Sequence, residues 1–325
     1  MRNIKIQQEL DFSIQLHELN IHNKDFGHYI KSPLNYIGGK YKILNQIINS
    51  FPDQYSSFVD LFAGGMNVSV NIDAKNIYVN DNLSYLVDMY KLFKSISLIE
   101  IINHIENQIK RFGLSKHNET GYKNFRLYYN QNRNPLDLFV LIAFSFNHQI
   151  RFNNSHEYNN PFGRDRSSYN EKMKSNLIKF ITKLQSSNYI FSSSSFENFN
   201  FTLLDKDSFI YCDPPYLITT GSYNDGKRGF EGWGSEQETQ LLRKLDEINS
   251  LEIKFALSNV LSHKGKNNQI LENWVNKKGY FIRYINSSYA NSNYQSSKNQ
   301  NKESNEVLIT NYNPDKKKQF IYGVR

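Results

Sequence analysis

Cysteine is almost absent from this 325-residue chain: Cys212 is the only one. An intrachain disulfide is therefore excluded, and nothing in the composition calls for an oxidising compartment. One cysteine cannot build a zinc cluster, and the eight histidines show no metal-ligand spacing, so no metal is expected. Long apolar runs are missing too. None approaches the ~18 residues of a membrane span, and residues 1–11 lack an apolar signal core. The expectation is a soluble, cytoplasmic protein with no membrane partner. Internal repeats are also lacking.

Charge is present in mild excess of one sign. There are 39 Lys and Arg against 31 Asp and Glu, a net +8 and a pI near 9.2. Such a surface attracts polyanions, but an Asn-, Lys-, Ile- and Tyr-rich composition also follows from AT-rich coding, so charge alone moves the reading toward nucleic acid only modestly. The length suits two domains.

The most informative stretch is Tyr211-Cys212-Asp213-Pro214-Pro215-Tyr216. Phe209-Ile210-Tyr211 reads as a buried strand ending at Asp213. The prolines carry no N–H and stop further pairing, holding the backbone extended at the carboxyl edge of the sheet. Open α/β sheets bind ligands at that edge. One rigid turn thus offers a carboxylate at Asp213, a carbonyl at Pro214 and a flat ring at Tyr216. An exocyclic amine on a planar base can donate to Asp213 and Pro214 O while stacking on Tyr216. The alternative is a Pro-Pro strand terminator beside an incidental aspartate.

Two glycine turns lie upstream. Tyr36-Ile37-Gly38-Gly39-Lys40 opens a helix through Ile43, Leu44, Ile47 and Ile48, although Gly-Gly pairs also mark ordinary turns. Strand 58–62 breaks at Ala63-Gly64-Gly65 before a helix-like 66–72, and strand 77–79 ends at Asn80-Asp81. Strand, glycine turn, helix, strand and acid form the layout of a nucleotide-cofactor site, the acid taking ribose hydroxyls. The full GxGxxG is missing, which disfavours a pyrophosphate dinucleotide, and a generic βαβ turn fits the same pattern.

Residues 83–112 read as one amphipathic helix, followed by an insertion over about 113–185. Its middle, 144–169, mixes six aromatics with Arg151, Arg164, Arg166 and five asparagines, Asn147 among them. Such density suits base edges and phosphates, and equally a polar surface hairpin. Strands are expected at 189–192, 208–212, 253–258, 280–285 and 306–312. Helices are expected from Ser235, through a Ser235–Glu238 capping box, and over 268–278. The long 217–234 loop and the Ser/Asn/Gln-rich, mobile 286–305 segment complete the chain, with a basic tail at 316–318 and an arm of unassigned role at 1–31.

Taken in order, the GGK turn, Asp60-Leu-Phe-x-Gly-Gly, the basic aromatic insertion and Asp-Pro-Pro-Tyr resemble the Dam-like (D12 class, alpha-group) family of DNA adenine-N6 methyltransferases. The resemblance spans about residues 32–312. It includes Asn147-x-x-x-Arg151 with Pro161-Phe162-Gly163-Arg164, similar to that family's DNA-reading hairpin, and Ser258-Asn259 after a strand.

The resemblance implies an α/β, S-adenosylmethionine-dependent methyltransferase fold: a mostly parallel, Rossmann-like sheet flanked by helices, with a helical DNA-recognition insertion. Residues 32–85 and 186–325 would form the catalytic domain and 86–185 the target recognition domain. Tyr36, Lys40, Phe62, Gly64, Asp81, Phe196 and Asp213 would contact S-adenosylmethionine. Asp213, Pro214, Pro215 and Tyr216 would be catalytic, and Asn147, Arg151 and Arg164 would bind double-stranded DNA. The implied reaction is site-specific methylation of N6 of a flipped adenine, in a restriction-modification setting with a partner endonuclease on the same site. Cytosine-N4 methylation is the chemical competitor, although Ser more often opens the motif in those enzymes. A catalytically silent DNA-binding module is the other alternative, and intact Asp213, Asp81 and Lys40 oppose it.

Overall fold

The computed structural model describes residues 29–36, 38–219, 233–286 and 304–316. Most of the arm at 1–31, most of the 217–234 and 286–305 segments, and positions 317–318 of the basic tail lie outside the described residues. Contacts divide the chain into two units: Gly38–Val87 with Asn188–Arg325, and Met1–Ile37 with Asp88–Ser187.

The first unit carries an eight-stranded sheet. Its strands are β1 (Ser57–Asp60), β2 (Asn76–Asn80), β3 (Tyr189–Ser192), β4 (Ser208–Cys212), β5 (Lys254–His263), β6 (Lys266–Asn267), β7 (Phe281–Tyr284) and β8 (Ser304–Thr310). The order is β3-β2-β1-β4-β5-β8-β7, with β6 paired to β5. Neighbours from β3 to β5 are parallel, while β8 runs antiparallel to both β5 and β7. This is the expected α/β architecture. Every residue of β1 and β4 is buried, as in strands covered on both faces. The chain order reverses between β1 and β4, which opens a crevice beyond their carboxyl ends. Register places Asp60 beside Tyr211 and Cys212 beside Leu257. Leu61 and Asp213, which follow β1 and β4, therefore emerge along one edge, whereas Ser258-Asn259, expected after a strand ending at 258, lies within β5, which runs on to His263 to pair with β8.

The described α-helices are, in chain order, α1 (Leu44–Ile48), α2 (Ser84–Ser95), α3 (Leu98–Phe112), α4 (Glu119–Asn132), α5 (Pro135–Phe144), α6 (Glu171–Ser186), α7 (Ser235–Ser250) and α8 (Gln269–Lys278). The single helix expected over 83–112 is two. Ser97 Oγ accepts from Glu100 N at 3.3 Å and Ser97 N donates to Glu100 Oε2 at 3.1 Å, a capping box that starts α3 afresh. The helix-like 66–72 reduces to a 3-10 turn at Ser69–Asn71, because Gly64 and Met66 both adopt positive φ. The cap of α7 also moves: Gly234 N donates to Gln237 Oε1 at 3.0 Å, and Glu238 is freed for a buried role.

The second unit is helical. In α5 every residue from Leu136 to Phe144 is buried, so this helix is the apolar centre of the unit rather than an amphipathic surface element. After it, bridges Ser145↔Phe162 and Phe152↔Tyr158 tie the 144–169 segment into an irregular hairpin. Gly163 is required there, because a Cβ would stand 2.6 Å from Ser145 O. Among the described residues no helix is long and apolar enough to cross a membrane, and no group of His, Cys, Asp or Glu could hold a metal ion.

Candidate active site

Beyond β4 the chain turns through Asp213, buried Pro214 and Tyr216. Lys40 reaches the same place from the glycine turn, where Gly38 takes φ 76° and its carbonyl accepts from Lys40 Nζ at 2.9 Å. The ammonium lies 2.9 Å from Asp213 Oδ1 and 3.5 Å from Glu306 Oε1, and 5.0 Å from the centre of the Tyr216 ring. The Tyr216 hydroxyl donates toward both carboxylates, at 2.9 Å to Asp213 and 3.2 Å to Glu306. Lys40 and Glu306 are 4% and 3% exposed, while Asp213 keeps 20%, so the carboxylate that opens to a ligand is Asp213.

Burial raises the Asp213 carboxyl above its ordinary range, and the adjacent Lys40 charge opposes that shift. Burial, followed by the Asp213 and Glu306 charges, pushes the Tyr216 phenol well up, so it remains a donor. Underneath, Tyr211 and Ser258 hydroxyls bond at 2.8 Å.

At the end of β2, Asp81 is clamped by backbone. Gly64 N donates to Oδ2 and Leu83 N to Oδ1, both at 2.8 Å. Two amide donors fix the carboxylate's plane without consuming all its lone pairs. Its neighbour Asn80 donates to Leu61 O at 3.2 Å and Ser194 O at 3.0 Å, fastening the ends of β1 and β3 together. Between Asp81 and Asp213 lies buried Asp60, pushed up to about 7, chiefly by burial and then by those two carboxylates.

Phe62 and Phe196 sit 5.6 Å apart, and Trp233 packs on them at 5.6 and 5.7 Å. Trp233 Nε1 donates to Glu238 Oε2 at 2.8 Å. Glu238 Oε1 accepts from Asn259 at 3.0 Å and Asn268 at 2.9 Å, so the Ser258-Asn259 pair serves the walls of the site. Acid clamp, aromatic group and carboxylate turn line one sheet edge. Their donor set fits a nucleoside bearing a positive charge.

The structure brings Lys40, Asp213 and Tyr216 into direct contact, Gly64 with Asp81, and Phe62 with Phe196. Sequence reasoning missed Glu306, Trp233, Asn80 and the role of Glu238. A lone acid in the apolar run Glu306-Val307-Leu308-Ile309 was the one available signal. Tyr36 belongs to the helical unit by its contacts, as do Asn147, Arg151 and Arg164. Asn147 is exposed with φ 54°, and its carbonyl accepts from Asn35 at 3.2 Å. Arg151 donates from Nε and Nη2 to Asn159 Oδ1 and O, at 2.9 and 2.8 Å. Arg164 is 68% exposed and pairs with Glu119.

Residues 36–292 match the model of the D12 class N6 adenine-specific DNA methyltransferases. The Type II methyltransferase M.FokI of Planomicrobium okeanokoites is 54% identical over 284 residues, 87% of this chain and 43% of that protein. The modification methylase StsI of Streptococcus sanguinis is 51% identical over the same shares. The DNA adenine methylase of Escherichia coli K12 is 26% identical over 230 residues, 70% of this chain and 79% of that one. The chain thus spans under half the length of the first two.

Proposed function

Since the chain belongs to the D12 class N6 adenine-specific DNA methyltransferase family, we propose that it methylates N6 of a flipped adenine in double-stranded DNA. The observation that carries this reading is the Asp213 carboxylate, held by Lys40 and Tyr216 at the strand end, on the same edge as the backbone-clamped Asp81.

S-adenosylmethionine, which the family implies, supplies a methyl group on a sulfonium. Asp81 would take its ribose hydroxyls, with Gly64 allowing close approach, and Phe62, Phe196 and Trp233 would enclose its adenine. Tyr36 is proposed as a further contact. On the substrate side, the lone pair of N6 is delocalised into the base and is a poor nucleophile. Asp213 and Pro214 O would accept its two N–H bonds, favouring the pyramidal geometry that frees the pair. Catalysis is then positioning plus electrostatics. Pro215 stiffens the turn, and Tyr216, anchored through its hydroxyl, would offer the extruded base a preset stacking surface.

The helical unit is proposed as the target-recognition unit, with Asn147 and Arg151 reading bases and Arg164 holding a phosphate. The names of the relatives support a modification role beside a restriction endonuclease. The test is transfer of labelled methyl from S-adenosylmethionine to duplex DNA, followed by nucleoside analysis. Label in N6-methyladenine is expected; no transfer, or label in N4-methylcytosine, refutes the reading.

A further inference from the structure

Glu238 lies in the first turn of α7 and is fully buried. Three donors converge on it. Trp233 Nε1 donates to Oε2 at 2.8 Å, and the side-chain amides of Asn259 and Asn268 donate to Oε1 at 3.0 and 2.9 Å. Neither amide is free to turn round. Asn259 Oδ1 accepts from Val260 N at 2.7 Å and Asn268 Oδ1 from Leu271 N at 3.1 Å, so each presents its NH2 group to Glu238. The indole N–H is a donor only. A group that accepts at both ends is needed to meet all three. Glutamine, of equal length, would oppose at least one of them with its own N–H.

Burying a carboxylate is costly unless hydrogen bonds replace its water. What this one secures is the Trp233 ring. The indole stands edge-on to Phe62, 5.6 Å away at 82°, and tilted on Phe196 at 5.7 Å. Asn259 belongs to β5 and Asn268 caps α8, so the carboxylate ties the indole to two further elements of the same unit. We propose that Glu238 is a positioning residue for the adenine of S-adenosylmethionine: it holds the Trp233 indole where the ring completes the aromatic wall, without touching the ligand. The inference rests on the methyltransferase reading and adds that the base subsite is ordered before the cofactor arrives. A ring already held does not have to be immobilised on binding. The product, S-adenosylhomocysteine, carries the same adenine and depends on Glu238 in the same way.

The experiment is calorimetric titration of both compounds, without DNA, into the unaltered chain, Glu238→Gln, Trp233→Phe and the double variant. A well-placed aromatic contact corresponds to up to about tenfold in affinity. Glu238→Gln should weaken both compounds by roughly that factor. The double variant should bind no more weakly than Trp233→Phe alone, because Glu238 acts through the indole. Additive losses in the double variant, a loss for one compound only, or affinities unchanged by Glu238→Gln overturn the proposal.

A second readout follows the indole itself. The chain has two tryptophans, so a Trp274→Phe background leaves Trp233 as the sole one. In that background Glu238→Gln should lower the tryptophan fluorescence anisotropy of the ligand-free protein. Unchanged anisotropy would mean that Glu238 does not hold the ring, and overturns the proposal. If Glu238→Gln does not fold, Trp233→Phe decides: it keeps a ring and removes the N–H, and unchanged affinity for both compounds is the overturning result. Failure of the unaltered chain to bind either compound would instead defeat the methyltransferase reading.

Discussion

Replacing Asp60 with asparagine should stabilise the protein at pH 8 and leave it almost unchanged at pH 4. Asp60 ends β1 at 2% exposure, and burial together with the Asp213 and Asp81 carboxylates moves it from 3.8 to about 7. A raised carboxyl means that the folded state binds the proton more tightly than the unfolded chain does. Its contribution to stability is therefore fully present below pH ~4 and is lost as pH rises to about 7. The interval between 3.8 and about 7 corresponds to ~4 kcal/mol at 1.36 kcal/mol per pH unit. Asparagine resembles the protonated acid and does not titrate. Urea unfolding of both proteins from pH 4 to pH 8 should show the curves diverging by that order, the variant gaining at the alkaline end. Parallel curves would refute the argument, because they would mean that Asp60 titrates alike in the folded and unfolded states.

Asp213→Ala should lower methyl transfer by ~10²–10³ while duplex binding stays within a few fold; retention of more than about a tenth of the rate would make the turn structural. Asp81→Ala should weaken S-adenosylmethionine by roughly 1.5–3 kcal/mol in calorimetry with DNA affinity unaffected, through loss of charge-assisted ribose contacts. Arg151→Ala should cost ~1–3 kcal/mol on the cognate site and relax preference at one base, whereas Arg164→Ala should weaken all sequences alike and reduce the salt slope by about one. Binding to single-base variants at several salt concentrations separates the two. Gly163→Ala should cost about 1–3 kcal/mol of stability in denaturant melts, because its Cβ would stand 2.2 Å from Ser167 Oγ and 2.6 Å from Ser145 O.

Local chemistry made much of the site legible in the sequence. Prolines end β4 at Asp213, glycines end β1 before the Asp81 clamp, and each signal lies within a few residues of the feature it creates. Strands 189–192 and 208–212 followed from short apolar runs. The break before α3 was also written locally, as Ser97-x-x-Glu100, but the apolar periodicity of 83–112 hid it. Glu306 and Glu238 were not legible, because their partners lie 90 residues away at Tyr216 for the first and 21 and 30 residues away at Asn259 and Asn268 for the second. An acid within an apolar strand announces that something long-range pairs with it, but not what.

The antiparallel strand β8 has a consequence for biosynthesis. Lys40 and Asp213 leave the ribosome well before Glu306, and the sheet up to β5 is complete by His263. A nascent chain can therefore hold every parallel pairing while the edge of β5 that takes β8 is still open. Only the pairing of β8 with β5, which also gives β7 its one neighbour among the described strands, brings the second carboxylate to Lys40. Competence would then be the final event of folding rather than an early one, and a ribosome stalled before residue 304 would present a sheet that looks finished around a site still missing its last charge.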